Sequence, residues 1–133
     1  MKPLLTAALL ALATLPVHAG DAAKGEADFK KCRACHSAIA PDGTAVQKGG
    51  KTAPNLFGVL GRPVASADFA YGESIKAVGA KGTVWDEALL AAYITDPTAW
   101  LKEQTGDPAA KAKMTFKLTK GAEDMAAYLA SLK

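Results

Sequence analysis

The pentapeptide Cys32-Arg33-Ala34-Cys35-His36 carries the strongest functional signal in this sequence. Its cysteines are the only two in the chain, and His36 is one of two histidines. On a helical turn, side chains three positions apart project to one side, so both thiols can reach the two vinyl groups of one porphyrin. C-x-x-C-H is the attachment motif of a c-type haem. The sequence therefore predicts one covalently bound haem c, with Cys32 and Cys35 as its thioether anchors and His36 as an axial iron ligand.

Three other chemistries use paired cysteines, and each fits less well. A thioredoxin-like redox pair needs a βαβ pattern nearby, and the sequence shows none. A structural zinc site needs four ligands, whereas all Cys and His residues after position 19 lie in the pentapeptide. A structural disulfide would leave the adjacent His36 without a role. We therefore expect the two cysteines to anchor a cofactor and to form no disulfide.

Residues 1–19 have the pattern of a cleaved secretory signal peptide. Met1-Lys2 is basic, Leu4 to Val17 is almost wholly apolar, and Val17-His18-Ala19 offers a small residue at each recognition position. The alternatives are a membrane anchor or a buried helix, and both fit the pattern less well. A membrane span needs about 20 apolar residues. Cleavage near Ala19/Gly20 would release one domain, residues 20–133, into the periplasm. Its first residue would be Gly20 or Asp21.

Composition excludes several classes of protein. The chain has 133 residues, a net charge of +3 and 50% apolar residues. That length allows one small domain. The charge is too low for the dense basic stripe of a nucleic-acid binder, and the apolar content is too high for a disordered chain. A 13.7 kDa chain buries a modest share of its surface, so a large apolar cofactor would complete its core.

Apolar periodicity predicts an all-α fold of short helices joined by long loops around the haem. The predicted helices follow Asp21 as far as the haem motif, cover Glu73–Val78, run from Asp86 to Pro97, continue from Pro97 through Leu101, and follow Thr119 to the C-terminus. Residues 37–64 are rich in glycine and proline and are predicted to be loop. No segment shows the alternation of a β-strand.

The sixth iron ligand is left open by the residues themselves. A second histidine is absent after position 19, which leaves Met114, Met125, a lysine or an open position. Met125 lies on an apolar helical stripe and is expected in the core. Met114 lies in a polar loop, where ligation would explain an apolar thioether. An open position would instead indicate a ligand-binding or peroxidase-like haem protein.

The whole of residues 20–133 resembles class I c-type cytochromes, and its long loops resemble the long form of bacterial cytochrome c2. The positions that carry the resemblance are Gly25, Glu26, Phe29 to Cys32, Cys35, His36, Gly49, Pro54 to Leu56, Gly61, Arg62, Phe69, Tyr71, Trp85, Tyr93, Lys113, Met114 and Phe116. The resemblance implies that the N- and C-terminal helices cross, with close approach at Gly25 and with Phe29 and Tyr128 packed against each other.

The resemblance also implies the surroundings of the haem. Met114 is the second axial ligand, and the Pro54 carbonyl accepts a hydrogen bond from His36, which would orient the imidazole. Tyr93 hydrogen-bonds the methionine sulfur, and Phe116 lies beside the exposed haem edge. The donors to the buried propionate are Arg62, Tyr71 and Trp85. Ile75 and Ala112 are departures, because many relatives have polar residues there.

The function implied is that of a soluble periplasmic one-electron carrier without enzymatic turnover. By resemblance its donor is a cytochrome bc1 complex and its acceptor a photosynthetic reaction centre, a terminal oxidase or both. We expect a monomer with no nucleic-acid partner and no membrane span in its mature form.

Charge is concentrated in the segments that should flank the iron. Residues 28–51 carry +3, residues 111–120 carry +4, and residues 52–110 carry −3. A basic ring around the haem edge would steer the protein to acidic partner surfaces. The predicted docking residues are Lys30, Lys31, Arg33, Lys48, Lys51, Lys111, Lys113, Lys117 and Lys120.

Overall fold

Two terminal helices cross beside the haem-attachment motif in the computed structural model, which describes residues 20–133. The predicted signal peptide, residues 1–19, lies outside the described residues. The helices are α1 (Ala22–Asp28), α2 (Glu73–Ala80), α3 (Glu87–Thr95), α4 (Pro97–Thr105) and α5 (Ala122–Ala130), with a 3₁₀ turn at Phe29–Lys31 and two short strands, β1 (Ala38–Ile39) and β2 (Ala45–Gln47). The predicted all-α class is confirmed.

The crossing of α1 and α5 is a direct backbone contact. A Cβ atom on Gly25 would overlap the carbonyl oxygen of Asp124, so only glycine allows this approach. Beside it, the rings of Phe29 and Tyr128 pack edge to face with centroids 6.0 Å apart. These side chains are 0% and 4% exposed. The predicted helix crossing and aromatic pair are confirmed.

Aspartates begin three of the helices. Asp21 Oδ1 accepts hydrogen bonds from the N–H groups of Ala23 and Lys24 at the start of α1. Asp86 accepts from Leu89 at the start of α3, and Asp96 accepts from Ala99 at the start of α4. These carboxylates satisfy N–H groups that the first helical turn leaves unpaired. Helix α4 ends at Gly106, whose φ of 68° is left-handed.

The structure differs from the sequence prediction at four places, and one of them is helix α4, which continues past Leu101 to Thr105. Strands β1 and β2 form an antiparallel pair within the region predicted to be loop, because strands of two and three residues are too short to show alternation. Helix α5 begins after Gly121 rather than Thr119, with no side-chain cap. Helix α2 continues through Gly79 to Ala80.

The core joins α5 to an aromatic cluster on and near α3 and α4. The rings of Trp85, Tyr93 and Trp100 lie with centroids 5.2 to 5.3 Å apart. Met125 on α5 is 1% exposed, which confirms its predicted place in the core. Within residues 20–133, no helix has both the length and the apolar character needed to cross a lipid bilayer.

Candidate functional site

The haem-attachment motif forms a turn directly after the 3₁₀ segment. The N–H groups of Cys35 and His36 both donate to the carbonyl oxygen of Cys32, at 3.2 and 2.9 Å. Cys32 is half-buried, Cys35 is exposed, and both are free of disulfide bonds. Burial raises the pKa of the Cys32 thiol to about 11. The turn therefore presents two unlinked sulfurs from one short stretch of backbone.

Two glycines of the following loop lie directly against this turn. A Cβ atom on Gly49 would overlap the carbonyl oxygen of His36, and one on Gly50 would overlap that of Ala34. The Gly50 N–H donates to the Arg33 carbonyl oxygen at 2.8 Å. The loop thus holds the backbone of the motif in place, and any larger side chain at either position would displace it.

The orientation of His36 is set by Pro54. Nδ1 of His36 lies 2.7 Å from the carbonyl oxygen of Pro54. A carbonyl can only accept, so Nδ1 carries the proton and Nε2 keeps the lone pair that a metal ligand needs. Burial lowers the pKa of His36 below its ordinary value, despite this hydrogen bond. The imidazole is therefore held neutral and in one tautomer.

The motif and Met114 line one cavity of about 350 Å³. Cys32, Cys35 and His36 contribute part of its wall, and Met114 contributes from the loop before α5. The deeper lining is buried and apolar, and consists of Val59, Trp85, Leu90, Leu101, Leu118, Met125 and Leu129. Ile75 and Ala112 also line the cavity. A flat, mostly apolar porphyrin with two thioether anchors fits this donor set and this lining.

Polar groups also border the cavity, and some have no protein partner. Arg62 donates from Nη1 and Nη2 to the Asn55 carbonyl oxygen, both at 3.2 Å. The hydroxyl of Tyr71 accepts from the Ala67 N–H at 3.2 Å, which leaves its proton free to donate. Within residues 20–133, neither Trp85 Nε1 nor the Tyr93 hydroxyl is hydrogen-bonded to protein. These donors are available to acceptor groups of a cofactor.

Tyr93 remains protonated throughout the physiological range. Burial raises the pKa of Tyr93 to about 12, and the neighbouring Tyr71 adds to that shift. A neutral phenol can donate a hydrogen bond to a thioether sulfur, which is a weak acceptor. Tyr93 and Met114 line the same cavity.

The mouth of the cavity opens between the two positively charged segments. Its exposed lining residues are Lys31, Ala34, Cys35, Thr52, Lys111, Lys113, Thr115 and Phe116. Phe116 is 44% exposed although it is a large apolar side chain. The opening therefore presents an aromatic ring among lysines.

Four of the nine predicted docking bases already have protein partners. Lys31 pairs with Asp28 at 3.1 Å, and Lys117 pairs with Asp96 at 2.8 Å. Lys113 Nζ donates to the Ala70 carbonyl oxygen at 2.8 Å. Arg33 is bound by Gln47. Within the described part of the chain, the docking bases whose side chains have neither an ion pair nor a hydrogen bond to protein are Lys30, Lys48, Lys51, Lys111 and Lys120.

A polar network behind the motif was not foreseen from the sequence. Gln47, 6% exposed, accepts from Arg33 Nε and Nη2 at 3.3 and 3.1 Å. Its own amide donates to the Tyr128 hydroxyl at 2.8 Å. The network joins the haem-attachment turn to α5. A lone glutamine in a polar loop carries no sequence signal for such a role.

Comparison with known proteins identifies the family. No protein-family model matches the chain. The chain is 56% identical to cytochrome c2 of Rhodobacter capsulatus over 99% of this chain and 98% of the relative, and 58% identical to cytochrome c-550 of Paracoccus versutus over 94% and 84%. The solved structure of the R. capsulatus protein superposes with a TM-score of 0.83, 57% identity, and coverage of 84% of this chain and 97% of that one. The solved structure of ferric cytochrome c-550 from P. versutus superposes with a TM-score of 0.83 and 58% identity, and the match covers 85% of this chain and 98% of that one.

These relatives are class I c-type cytochromes that act in electron transport. Their likeness spans the whole of residues 20–133, including the C-x-x-C-H turn and the cavity that it borders. The chain therefore belongs to the cytochrome c2/c-550 family of class I c-type cytochromes, electron-transfer proteins that carry one covalently bound haem c.

Proposed function

We propose that this chain is a soluble periplasmic one-electron carrier. It takes electrons from a cytochrome bc1 complex and delivers them to a photosynthetic reaction centre, a terminal oxidase or both. The observation that carries the proposal is the single cavity lined at once by the C-x-x-C-H turn and by Met114, with its mouth between two positively charged segments. The protein acts as a monomer and catalyses no reaction of its own.

Four side chains hold the haem in this proposal. Cys32 and Cys35 form the thioethers, and His36 and Met114 are the axial ligands. The haem, when bound, supplies an iron that cycles between Fe(III) and Fe(II) and so carries one electron. A histidine and methionine pair favours the reduced state. Because both axial positions are filled from the chain, oxygen and peroxide have no open position to bind.

The other lining residues orient and tune the site. The Pro54 carbonyl keeps His36 neutral and fixed, as its 2.7 Å contact with Nδ1 supports. Arg62, Tyr71 and Trp85 donate to the buried propionate, since a buried carboxylate needs partners. Tyr93 donates to the Met114 sulfur, and Phe116 covers the exposed edge through which the electron leaves.

Docking is electrostatic and brief. Lysines around the mouth attract acidic partner surfaces, which raises the rate of encounter without demanding tight binding. The small area around one cavity mouth suits the weak interfaces typical of redox partners.

Export precedes assembly in this proposal, and residues 1–19 are the cleaved signal peptide. Support comes from the sequence pattern of residues 1–19, a basic start followed by an apolar run and small residues near position 19. Mass spectrometry of periplasmic protein tests this. The expected mass is residues 20–133 or 21–133 plus one haem, and a retained leader would contradict it.

Flash-induced oxidation by purified photosynthetic reaction centres tests the carrier function. We expect fast oxidation whose rate falls steeply with added salt, and a rate that does not change with salt would contradict electrostatic docking.

An absorption spectrum tests the iron ligands. The oxidised protein should show the weak red band of sulfur-to-iron charge transfer, and Met114→Ala should abolish it. Ready carbon monoxide binding by the reduced wild type would favour a ligand-binding haem protein.

A further inference from the structure

The loop that carries Met114 is tied to the body of the protein on both sides of the methionine. We call residues 111–118 the methionine loop. On the α2 side, the Lys111 N–H donates to Ser74 Oγ at 3.1 Å, and Lys113 Nζ donates to the Ala70 carbonyl oxygen at 2.8 Å. The loop has no helix or strand of its own, so these attachments determine its position.

Three further attachments come from the α3–α4 junction, residues 94–98. Before the methionine, the Ala112 N–H donates to Thr98 Oγ1 at 3.2 Å. After it, Lys117 Nζ lies 2.8 Å from Asp96 Oδ2. The Leu118 N–H then donates to the Ile94 carbonyl oxygen at 2.8 Å. Three contacts from one five-residue stretch therefore straddle Met114.

The junction is itself rigid. Asp96 is the N-cap of α4, with Oδ1 accepting from the Ala99 N–H at 3.1 Å while Oδ2 faces Lys117. Pro97, the first residue of α4, is fully buried. A proline at this position is pre-set for the helix. One carboxylate thus fixes the helix start and the methionine loop together.

We propose that Asp96 and Thr98 are positioning residues that hold the methionine loop closed and so keep the Met114 sulfur on the iron. The proposal rests on the proposed function, in which Met114 is an axial ligand. Neither residue lines the cavity, so each acts through the loop. Their role is to set how often the loop opens far enough for another ligand to replace the thioether.

The size of the effect follows from a population argument. An external ligand such as imidazole binds only when the loop is open, so its apparent affinity scales with the open fraction. Loss of one hydrogen bond at Thr98 should raise imidazole affinity about three- to tenfold. Loss of the exposed ion pair at Asp96 should raise it about two- to fivefold, because water screens exposed charges.

The test titrates imidazole into oxidised, haem-loaded protein and follows loss of the sulfur-to-iron band. The variants are Thr98→Val, which removes the acceptor for Ala112, and Asp96→Asn, which keeps a capping oxygen but removes the charge. Lys117→Gln removes the same ion pair from the other side. We expect tighter imidazole binding in all three, with Asp96→Asn adding little to Lys117→Gln.

Two matched controls separate positioning from general destabilisation. Asp86→Ala removes the side-chain cap of the neighbouring helix α3, and Thr105→Val removes a hydroxyl that accepts from the Asp107 N–H at 3.2 Å, at the far end of α4. Both should lower the urea midpoint while imidazole affinity stays within about twofold of wild type.

Equal imidazole affinity in wild type, Thr98→Val and Asp96→Asn would overturn the inference, as would equally large changes in the controls. Wild-type protein that lacks the sulfur-to-iron band would instead refute Met114 ligation, and this inference with it. The two failures are therefore distinguishable in one set of spectra.

Discussion

Gly25 lies directly against the backbone of Asp124, where α1 crosses α5. The contact lets Phe29 and Tyr128 pack beside it, next to the haem-attachment turn. A methyl group at residue 25 would force the helices apart. We expect Gly25→Ala to lower the free energy of unfolding by about 1–3 kcal/mol, the usual cost of overpacking. Urea unfolding of the haem-loaded protein, followed by tryptophan fluorescence, measures this. Glu26→Ala on the exposed face of the same helix is the control, and equal effects in the two variants would contradict the prediction.

Gln47 joins the haem-attachment turn to α5. Replacing it by leucine removes both the acceptor for Arg33 and the donor to the Tyr128 hydroxyl while keeping similar bulk. We expect a loss of about 1–3 kcal/mol in the free energy of unfolding, because a buried hydroxyl then lacks its partner. Adding Tyr128→Phe to the Gln47→Leu protein should cost less than Tyr128→Phe costs wild type. Additive losses would show that the contact contributes nothing.

The Asp96–Lys117 pair predicts a specific pH dependence of stability. The hydrogen bond from Lys117 Nζ, then that from the Ala99 N–H, hold the pKa of Asp96 below its ordinary value. Lys102 contributes a further favourable charge. Because the folded pKa is the lower one, the carboxylate stabilises the fold above the unfolded pKa of about 4, and this contribution disappears as pH falls through the folded pKa.

Urea midpoints of wild type and Asp96→Asn check this dependence. The midpoints should differ most near about pH 6 and converge as the pH falls through the folded pKa of Asp96, since asparagine does not titrate. In a Lys117→Gln background, the same substitution should produce a smaller difference with weaker pH dependence. A difference that is constant from pH 3 to pH 6 would rule out the ion pair as its cause.

Lysines at the cavity mouth should affect encounter with an acidic partner more than lysines elsewhere. Lys111 is exposed, lines the cavity and has no ion pair within residues 20–133. We expect Lys111→Glu to slow oxidation by reaction centres about two- to fivefold at low ionic strength, and the deficit to shrink with salt. Lys133→Glu makes the same charge change away from the cavity and should have a much smaller effect. Equal slowing by both would indicate that net charge alone matters.

Much of the fold could be predicted from local pattern. Asp21 and Asp86 stand at predicted helix starts and do cap α1 and α3, and Asp96, one residue before the predicted start at Pro97, caps α4. Capping needs only residues within one turn, so sequence contains the information. The close approach at Gly25 came from the family resemblance, since a glycine within a helix carries no such signal by itself.

The remaining features depend on residues far apart in the chain. Strands β1 and β2 pair within a segment whose composition indicates loop. The side-chain amide of Asn55, 16 residues away, accepts from the Ile39 N–H and donates to the Ile39 carbonyl oxygen. The start of α5 at Ala122 follows from the left-handed Gly121 rather than from the Thr119 hydroxyl. The helix or strand propensity of a short segment does not predict these features, because tertiary contacts outweigh it.

The cofactor chemistry follows from the order of residues alone, because two thiols and an imidazole at fixed spacing define the covalent attachment site. The same holds for the two positively charged segments, residues 28–51 and 111–120. Which lysines lack a partner depends instead on folding, since Lys31 and Lys117 contact carboxylates and Lys111 does not. The contacts of residues 94–98 with the methionine loop also depend on folding. Hydrogen bonds and ion pairs between distant segments form only when packing brings their atoms within about 3 Å.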